Sequence, residues 1–311
     1  DGDSIVAVTP VRGGCINHSA HVDTASGRSY FLKWNPSAPS GMVAAEENGL
    51  LALRAAAEGV DVEYRPRVPQ PLARSAEKGS PGGVGWLLTE WLEPGTATAE
   101  TDATLGRGLA LLHDGPPFGP VSHRNPNGAL HGSVIGTDQG GLFGWGRDNW
   151  IGSLPQSNTP SMSWSTFWRE RRIAPQLHRA RRNGYLVDGL MDEVLDAIPH
   201  ALDGVRAPSL LHGDLWAGNS YATDGGRAAL VDPAVYCGDG EVDLAMTELF
   251  GGFGASFYHA YDEVRPVTAE YRSHRRSLYQ LYHLRVHVNL FGGSYEAGCR
   301  RAAETVLGAL G

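Results

Sequence analysis

The chain has 311 residues, of which 41% are hydrophobic and 19% are charged. This composition is typical of a globular protein long enough for two lobes with sizeable cores. Acidic residues outnumber basic ones by 34 to 26, and the net charge of −8 argues against non-specific nucleic-acid binding, which needs a basic surface.

The sequence carries no visible signal for a membrane or for export. No apolar stretch approaches the roughly 18 residues that cross a bilayer. The N-terminal sequence DGDSIVAV lacks the basic segment followed by an apolar one that marks a signal peptide. Three cysteines, Cys15, Cys237 and Cys299, are odd in number and far apart, which argues against a disulfide framework. We therefore expect a reduced, cytoplasmic protein with no membrane partner.

The N-terminal part reads as five strands and one helix. The strand-like segments SIVAVTPV and SAHVDTA flank the turn RGGCIN, and SYFLKW follows a second turn. A helix is predicted from about Gly41 to Glu58, and two more strand-like segments come after it, of which VGWLLTEW is the stronger. Pro and Gly in EPGTATAE interrupt both the helical and the strand periodicity, so this segment is expected to connect the two parts of the chain. We expect an α+β fold with one lobe at 1–93, built on an antiparallel five-stranded sheet, and a mainly helical lobe at 94–311.

The second part is mostly helical in pattern. A helix is expected to begin at Thr101 or Asp102, either of which can cap it. Its leucines fall on one face: Leu105, Leu109 and Leu112. Residues 115–160 are rich in Gly, Pro and Asn, and irregular segments of that length tend to be functional or mobile. Helices are expected again from Ser163 to the end, with one interruption.

That interruption is an apolar run, a polar loop and a hairpin. The loop HGDLWAGN, residues 212–219, has the H-x-D-x-x-x-x-N spacing of the protein-kinase catalytic loop. Asp214 would orient an attacking hydroxyl, and Asn219 would offer an oxygen to Mg²⁺. The predicted hairpin, with the turn DGGR, ends at Asp232 and would bring that carboxylate beside Asn219 as a second Mg²⁺ ligand. His212 is expected to brace the loop near the substrate rather than to act as a base. The alternative is a polar loop after a buried strand.

Lys33 and Glu46 provide an independent indication. The predicted helix carries one stripe at spacings of three and four: Val43, Glu46, Leu50, Leu53 and Ala57. Because the stripe is otherwise apolar, Glu46 points inward and needs a cationic partner. Lys33, on the preceding strand, is the available one, and such a pair holds nucleotide phosphates in kinases. Alternatively, Glu46 lies at the solvent edge and Lys33 extends outward.

Weaker signals complete the candidate nucleotide site. Gly13 and Gly14 allow the backbone to approach phosphates closely, and Cys15 beside them is a possible redox-sensitive thiol. The strand end at Glu90, Trp91 and Leu92 offers backbone groups to adenine. Gly-Gly turns and apolar strands are common, so these assignments depend on the stronger motifs.

Taken together, these motifs resemble those of the fructosamine kinase (ketosamine-3-kinase) family, within the aminoglycoside-phosphotransferase-like kinases. The resemblance rests on GGCIN, FLKW, EENGL, TEWLEPG, LGRGLALLH, HGDLWAGN and DPAVYCGDGEVDLAM, and it extends to FGWGRDNWIGSLPQ, FWRERRIAPQL and LYQLYHLRVHVNLFGG. It spans essentially the whole chain. It implies a bilobal protein-kinase-like fold and ATP-dependent phosphorylation of a sugar hydroxyl, the 3-hydroxyl, on a small ketosamine or a glycated lysine.

The resemblance also implies roles for single residues. Asp214 would be the catalytic base, with Mg²⁺ on Asn219 and Asp232 and the sugar beside Trp216. Asp232-Pro233-Ala234 stands where protein kinases have Asp-Phe-Gly, so a regulated flip of that segment is not expected. A monomer or weak dimer is expected. The alternatives are a kinase of the same fold for an aminoglycoside or choline hydroxyl, an inactive nucleotide-binding module, or a metal-dependent phosphoesterase, which would need a larger ligand cluster.

Overall fold

The computed structural model describes residues 3–11, 16–76, 84–115, 123–124, 130–131, 142–185, 187–205 and 207–311. The N-terminal part forms one five-stranded sheet. Its strands are β1 (Ile5–Pro10), β2 (His18–Thr24), β3 (Ser29–Asn35), β4 (Pro71–Arg74) and β5 (Gly85–Glu90). Their spatial order is β1-β2-β3-β5-β4, and every neighbouring pair is antiparallel. The predicted antiparallel five-stranded sheet is confirmed.

A single helix, α1 (Met42–Glu58), connects β3 to β4. It begins after Gly41 in the left-handed conformation and ends at Gly59, so both ends lie within one residue of the prediction. Leu50 and Leu53 of its apolar stripe are fully buried. On another face Glu47 accepts a hydrogen bond from Arg74 Nε at 2.6 Å, away from the stripe that carries Glu46. The predicted difference between the two neighbouring glutamates is therefore found.

The first helix after the connection, α2 (Ala99–Asp114), begins earlier than predicted. Thr98, not Thr101 or Asp102, is its cap, because its backbone is extended and its side chain accepts a hydrogen bond from the Thr101 backbone N–H at 3.1 Å. Asp102 instead lies in the first turn, where a carboxylate interacts favourably with the helix dipole. The cap prediction was wrong by one helical turn.

The remaining elements are short strands and helices. The strands are β6 (His123–Arg124), β7 (Leu130–His131), β8 (Asn149–Ile151), β9 (Leu154–Gln156), β10 (Ser209–Leu211), β11 (Ser220–Ala222), β12 (Ala228–Leu230) and β13 (Tyr236–Gly238). The helices are α3 (Trp164–Phe167), α4 (Ala174–Arg182), α5 (Gly189–Ala201), α6 (Glu241–Leu249), α7 (Ala255–Val264), α8 (Arg276–Phe291) and α9 (Glu296–Leu310). A π-helical turn at Trp168–Ile173 joins α3 to α4, and another at Tyr271–Arg275 precedes α8. The described part of 115–160 is thus less irregular than predicted, because β8 and β9 form a hairpin.

The predicted hairpin is formed by β11 and β12, with Ser220 opposite Leu230. Backbone hydrogen bonds tie it to the segments that flank the sheet. Gly95 N–H donates to Ala222 O at 2.7 Å, and Leu230 N–H donates to Arg67 O at 2.8 Å. The loop at residues 212–219 and the segment that follows Leu230 are therefore held next to the five-stranded sheet.

The core of the helical part is aromatic. Trp164, Trp168 and Tyr279 pack with ring centroids 5.0 to 6.3 Å apart, and all three are fully buried. Large aromatic side chains bury much apolar surface and stabilise the contact between α3, the π-helical turn and α8. No helix in the described ranges has the length and apolar character needed to cross a membrane. The division of the chain between residues 93 and 94 stays a prediction.

Candidate active site

Lys33 lies at the centre of a three-residue charge cluster. Its Nζ donates to Glu46 Oε1 at 2.9 Å and Oε2 at 3.0 Å, and it lies 2.9 Å from Asp232 Oδ1. The Lys33 and Glu46 side chains are only 11% and 17% exposed. Burial alone would lower the pKa of Lys33, but the carboxylates of Asp232 and Glu46 outweigh it and raise that pKa above its usual value. Lys33 therefore stays a cation, and the predicted ion pair with Glu46 is present.

The loop after β10 places Asp214 and Asn219 in contact. Asn219 Nδ2 donates to the Asp214 carbonyl oxygen at 2.8 Å and to Asp214 Oδ2 at 3.2 Å. Burial, followed by repulsion from Asp232, raises the pKa of Asp214 to about 7. A base whose pKa lies near neutral pH suits proton transfer from a hydroxyl. Gly213, with φ +81°, makes the sharp turn possible, since a Cβ there would lie 2.2 Å from Ala234 O.

Asp232 completes the arrangement. The Val231 N–H donates to Asn219 O at 3.0 Å, so the end of the hairpin lies directly beside the Asp214 loop. The structure thus brings Asp214, Asn219 and Asp232 together, with Lys33 bonded to the last of them. The donor set fits Mg²⁺, because a carboxylate and an amide oxygen are hard ligands, and Mg²⁺ commonly takes few protein ligands plus phosphates. The described residues contain no group of three or more His, Cys, Asp or Glu side chains that could hold a metal.

His212 has a structural position, and its proximity to the substrate stays a prediction. Its side chain has no exposed surface. Nε2 bonds the Val231 carbonyl oxygen at 2.9 Å, and Nδ1 accepts from the Asp214 N–H at 3.3 Å. Burial lowers the pKa of His212, so the ring is neutral and joins the loop to the hairpin. It is the brace that the sequence also suggested.

Asp243, on α6, bonds the loop that carries Asp214, and the sequence did not lead us to predict this contact. Its carboxylate accepts from the backbone N–H groups of His212 at 2.7 Å and Gly213 at 2.9 Å. His113 Nε2 lies 3.2 Å from Asp243 Oδ2, the oxygen that also accepts from the His212 N–H. Burial raises its pKa, but the bond and charge of His113 outweigh this and leave the pKa below its usual value. The signal was available, since Asp243 stands in the apolar run EVDLAM and needs buried partners for the same reason as Glu46.

Trp216 lies two residues after Asp214 at the edge of an aromatic cluster. The half-buried indole packs against Phe250 with centroids 6.5 Å apart, and Phe250 lies 4.7 Å from His287. Phe250 is 41% exposed, so this cluster reaches solvent beside Asp214. Gly218 permits the indole position, since a Cβ there would lie 2.4 Å from the ring. Contact with a sugar stays a prediction.

The proposed adenine strip is at the end of β5. The Glu90 side chain accepts from the Gln70 backbone N–H at 3.0 Å, while Trp91 stacks on His21 at 4.0 Å. The Leu92 carbonyl oxygen accepts from the Tyr221 hydroxyl at 3.2 Å, and the Leu92 side chain is buried. These contacts fix the strip between the sheet and the hairpin. Its role in base binding stays a prediction, and Gly13, Gly14 and Cys15 lie outside the described residues.

The comparison with protein families decides the identity of the chain. A family model described as fructosamine kinase matches residues 2–309. The chain belongs to the fructosamine kinase family. A family relative in Synechocystis, named Probable ketoamine kinase slr1563, is 39% identical over 299 residues, covering 96% of this chain and 89% of the relative. The chloroplastic protein-ribulosamine 3-kinase of Arabidopsis thaliana is 35% identical and covers 97% of this chain and 83% of the relative.

Solved structures share the fold. A Thermobifida fusca protein assigned as a fructosamine-3-kinase superposes with a TM-score of 0.77 at 32% identity, over 98% of this chain and 95% of that one. Choline kinase from Streptococcus pneumoniae superposes with a TM-score of 0.55 at 13% identity, over 98% and 94%. At that identity the likeness concerns the fold alone. The predicted bilobal, kinase-like α+β fold of this fructosamine kinase family member is confirmed.

Proposed function

We propose that this protein is an ATP-dependent kinase that phosphorylates a sugar hydroxyl, the 3-hydroxyl, of fructosamines or related ketosamines. The observation that carries the proposal is the contact of Asp214 with Asn219 next to the Lys33–Asp232 ion pair, in a chain of the fructosamine kinase family. The names of the relatives, ketoamine kinase and protein-ribulosamine 3-kinase, support the ketosamine class. We also propose that the protein acts in the cytoplasm as a monomer or weak dimer.

In this proposal Asp214 is the general base. Its carboxylate accepts the proton of the sugar hydroxyl as the hydroxyl oxygen attacks the γ-phosphorus, and ADP leaves. A positioned base of this kind contributes about 10²–10⁴-fold to the rate. Asn219 keeps the carboxylate oriented by its bond to Oδ2. The half-buried Trp216 lies two residues away and would offer an apolar face to the sugar.

The remaining residues of the site would hold the nucleotide. Lys33, kept protonated by its two carboxylate neighbours, would bind the phosphates, with Glu46 fixing the ammonium position. Gly13 and Gly14 would approach the phosphates, and the adenine would bind along Glu90 to Leu92. Asn219 and Asp232 would hold Mg²⁺, which neutralises charge on the β- and γ-phosphates when bound.

The test is phosphate transfer to fructosyl-lysine. The protein is incubated with fructosyl-lysine and Mg-ATP, and NMR locates the phosphate on the sugar. We expect 3-phosphorylation, and we expect Asp214→Asn to lower kcat by about 10²–10⁴-fold. Asp224→Asn is the matched control, because Asp224 is exposed in the turn of the same hairpin.

Two results would contradict the assignment. One is transfer to an aminoglycoside or choline in the same assay with no transfer to fructosyl-lysine. The other is transfer to the sugar that Asp214→Asn leaves unchanged. ATP binding without turnover on any of these acceptors would favour a nucleotide-binding module instead.

A further inference from the structure

Asp232 has a left-handed backbone conformation. Its φ of +54° makes it the one non-glycine residue with positive φ in the described part of the chain. Left-handed conformations are uncommon for residues with a Cβ, and they persist where surrounding contacts determine them. The Asp232 side chain nevertheless lies 2.9 Å from Lys33. Contacts that hold the main chain next to Asp232 are therefore needed to keep its carboxylate in place.

Two buried amides hold the main chain that follows Asp232. Asn149 Nδ2 donates to the Val235 carbonyl oxygen at 2.8 Å, and Gln156 Nε2 donates to the Ala234 carbonyl oxygen at 3.3 Å. Gln156 Nε2 also donates to Asn149 Oδ1 at 2.8 Å, so the two amides orient each other across the β8–β9 hairpin. Asn149 and Gln156 are 5% and 2% exposed. A buried amide with satisfied partners strongly prefers one orientation.

A tyrosine on α8 fixes the direction of the Gln156 amide. The Tyr282 hydroxyl donates to Gln156 Oε1, which turns Nε2 towards Ala234. Tyr282 is 1% exposed, so water does not replace this bond. The Ala234 N–H in turn donates to His212 O at 2.8 Å. The backbone after Asp232 is therefore bonded on one side to the catalytic loop and on the other to the hairpin.

We propose that Tyr282, Gln156 and Asn149 are positioning residues for Asp232. They fix the main chain at Ala234 and Val235 and so hold the Asp232 carboxylate against Lys33 and beside Asn219. The proposal rests on the proposed function only in taking Asp232 as a Mg²⁺ ligand. Protein kinases move the segment after the corresponding aspartate. Here side chains from β8 and β9 bond the main chain of that segment, and these bonds hold it in the position described.

The test compares two buried tyrosines of α8. Tyr282→Phe removes the bond to Gln156, whereas Tyr279→Phe, one turn earlier, removes bonds to Asp239 and Trp164 that do not lead to Asp232. Mn²⁺ binding to the protein in the presence of ADP is measured by electron paramagnetic resonance, so no sugar substrate is needed. We expect Tyr282→Phe to weaken Mn²⁺ binding roughly tenfold, as loss of supporting contacts around metal ligands commonly does. Tyr279→Phe should leave it unchanged.

Thermal unfolding and kinetics separate positioning from general destabilisation. Both variants should lose thermal stability, but only Tyr282→Phe should raise the Mg²⁺ concentration at half-maximal activity, with kcat recovered at saturating Mg²⁺. Gln156→Glu is the second variant, because it keeps the shape and the acceptor for Tyr282 while replacing the donor to Ala234. It should weaken Mn²⁺ binding as well.

The possible failures are distinct. Equal Mn²⁺ affinity in wild type, Tyr282→Phe and Gln156→Glu would overturn the positioning role. An equal loss in Tyr279→Phe and Tyr282→Phe would also overturn it, because the loss would then reflect general destabilisation. If the wild-type protein with ADP binds no Mn²⁺, the proposed metal site itself is wrong.

Discussion

Lys33 is the partner of two carboxylates, so a single substitution at this residue affects both. Lys33→Met should lower kcat/KM by about 10²–10³-fold, the range seen when one preorganised group that stabilises transition-state charge is removed. Glu46→Gln should lower kcat/KM by a smaller factor, because Lys33 keeps its contact with Asp232. Steady-state kinetics at varied ATP checks both variants. Wild-type kcat/KM in Lys33→Met would contradict a phosphate-binding role.

The argument that a buried carboxylate needs a polar or charged partner predicted some residues of the site and not others. Glu46 could be predicted because it interrupts an apolar helical stripe, and Asp243 could have been predicted by the same argument. The orientation of the His212 ring could not be predicted, because its place beside Asp214 in sequence does not reveal which way the ring points. The direction is set by Val231, 19 residues later in the chain, whose carbonyl oxygen bonds the ring. The sequence around His212 therefore gives no indication of this contact.

The contact between α2 and α7 depends on a glycine. A Cβ on Gly106 would lie 2.1 Å from the Phe257 carbonyl oxygen, which is too close without a shift of backbone. Gly106→Ala should therefore lower the free energy of unfolding by about 1–3 kcal/mol, the usual cost of overpacking. Denaturation by urea measures the change.

Gly308→Ala on α9 is the matched control for that substitution. Nothing lies within 4 Å of a Cβ at Gly308, so alanine there should stabilise the helix by roughly 0.5–1 kcal/mol. Both substitutions replace glycine by alanine, but they should change the free energy of unfolding in opposite directions. A stabilising effect of Gly106→Ala would show that α2 and α7 do not pack as closely as described.

Elements with strong periodicity were predictable, and those fixed by distant contacts were not. The sheet, α1 and the β11–β12 hairpin follow from alternating or helical apolar patterns and from the turn DGGR. The β8–β9 hairpin was not predicted, because a segment rich in Gly, Pro and Asn has neither pattern. Its hydrogen bonds to Ala234 and Val235, 78 and 86 residues away from their partners, stabilise it instead.

At the scale of the whole molecule, the site is assembled from both parts of the chain. The sheet supplies Lys33, α1 supplies Glu46, and the loop and hairpin supply Asp214, Asn219 and Asp232. The hairpin is hydrogen-bonded to Arg67 and Gly95 on either side of β4 and β5. Chain topology therefore explains why residues up to 199 positions apart, Lys33 and Asp232, form one ion pair.

The stability of the whole fold should also depend on a buried carboxylate to which no part in the proposed chemistry is given. Glu241, at the start of α6, is 5% exposed and accepts from the Thr268 N–H at 2.8 Å. Burial, followed by repulsion from Asp239, raises the pKa of Glu241 from 4.5 to about 7, against the attraction of Arg275. The folded protein thus binds a proton more tightly than the unfolded chain does. This stabilises the fold fully below pH 4.5, and the contribution is lost as the pH rises to about 7.

Glu241→Gln removes this titration, and the comparison with wild type cancels the contribution of titrating groups that do not interact with Glu241. Glutamine loses one acceptor for Thr268, but that cost does not depend on pH. The free energy of unfolding of the variant minus that of wild type should therefore increase by about 1 kcal/mol per pH unit between pH 4.5 and 7. Urea denaturation at several pH values measures this difference. Parallel pH profiles for the two proteins would mean that Glu241 has the same proton affinity in the folded and unfolded states, and the burial argument would fail.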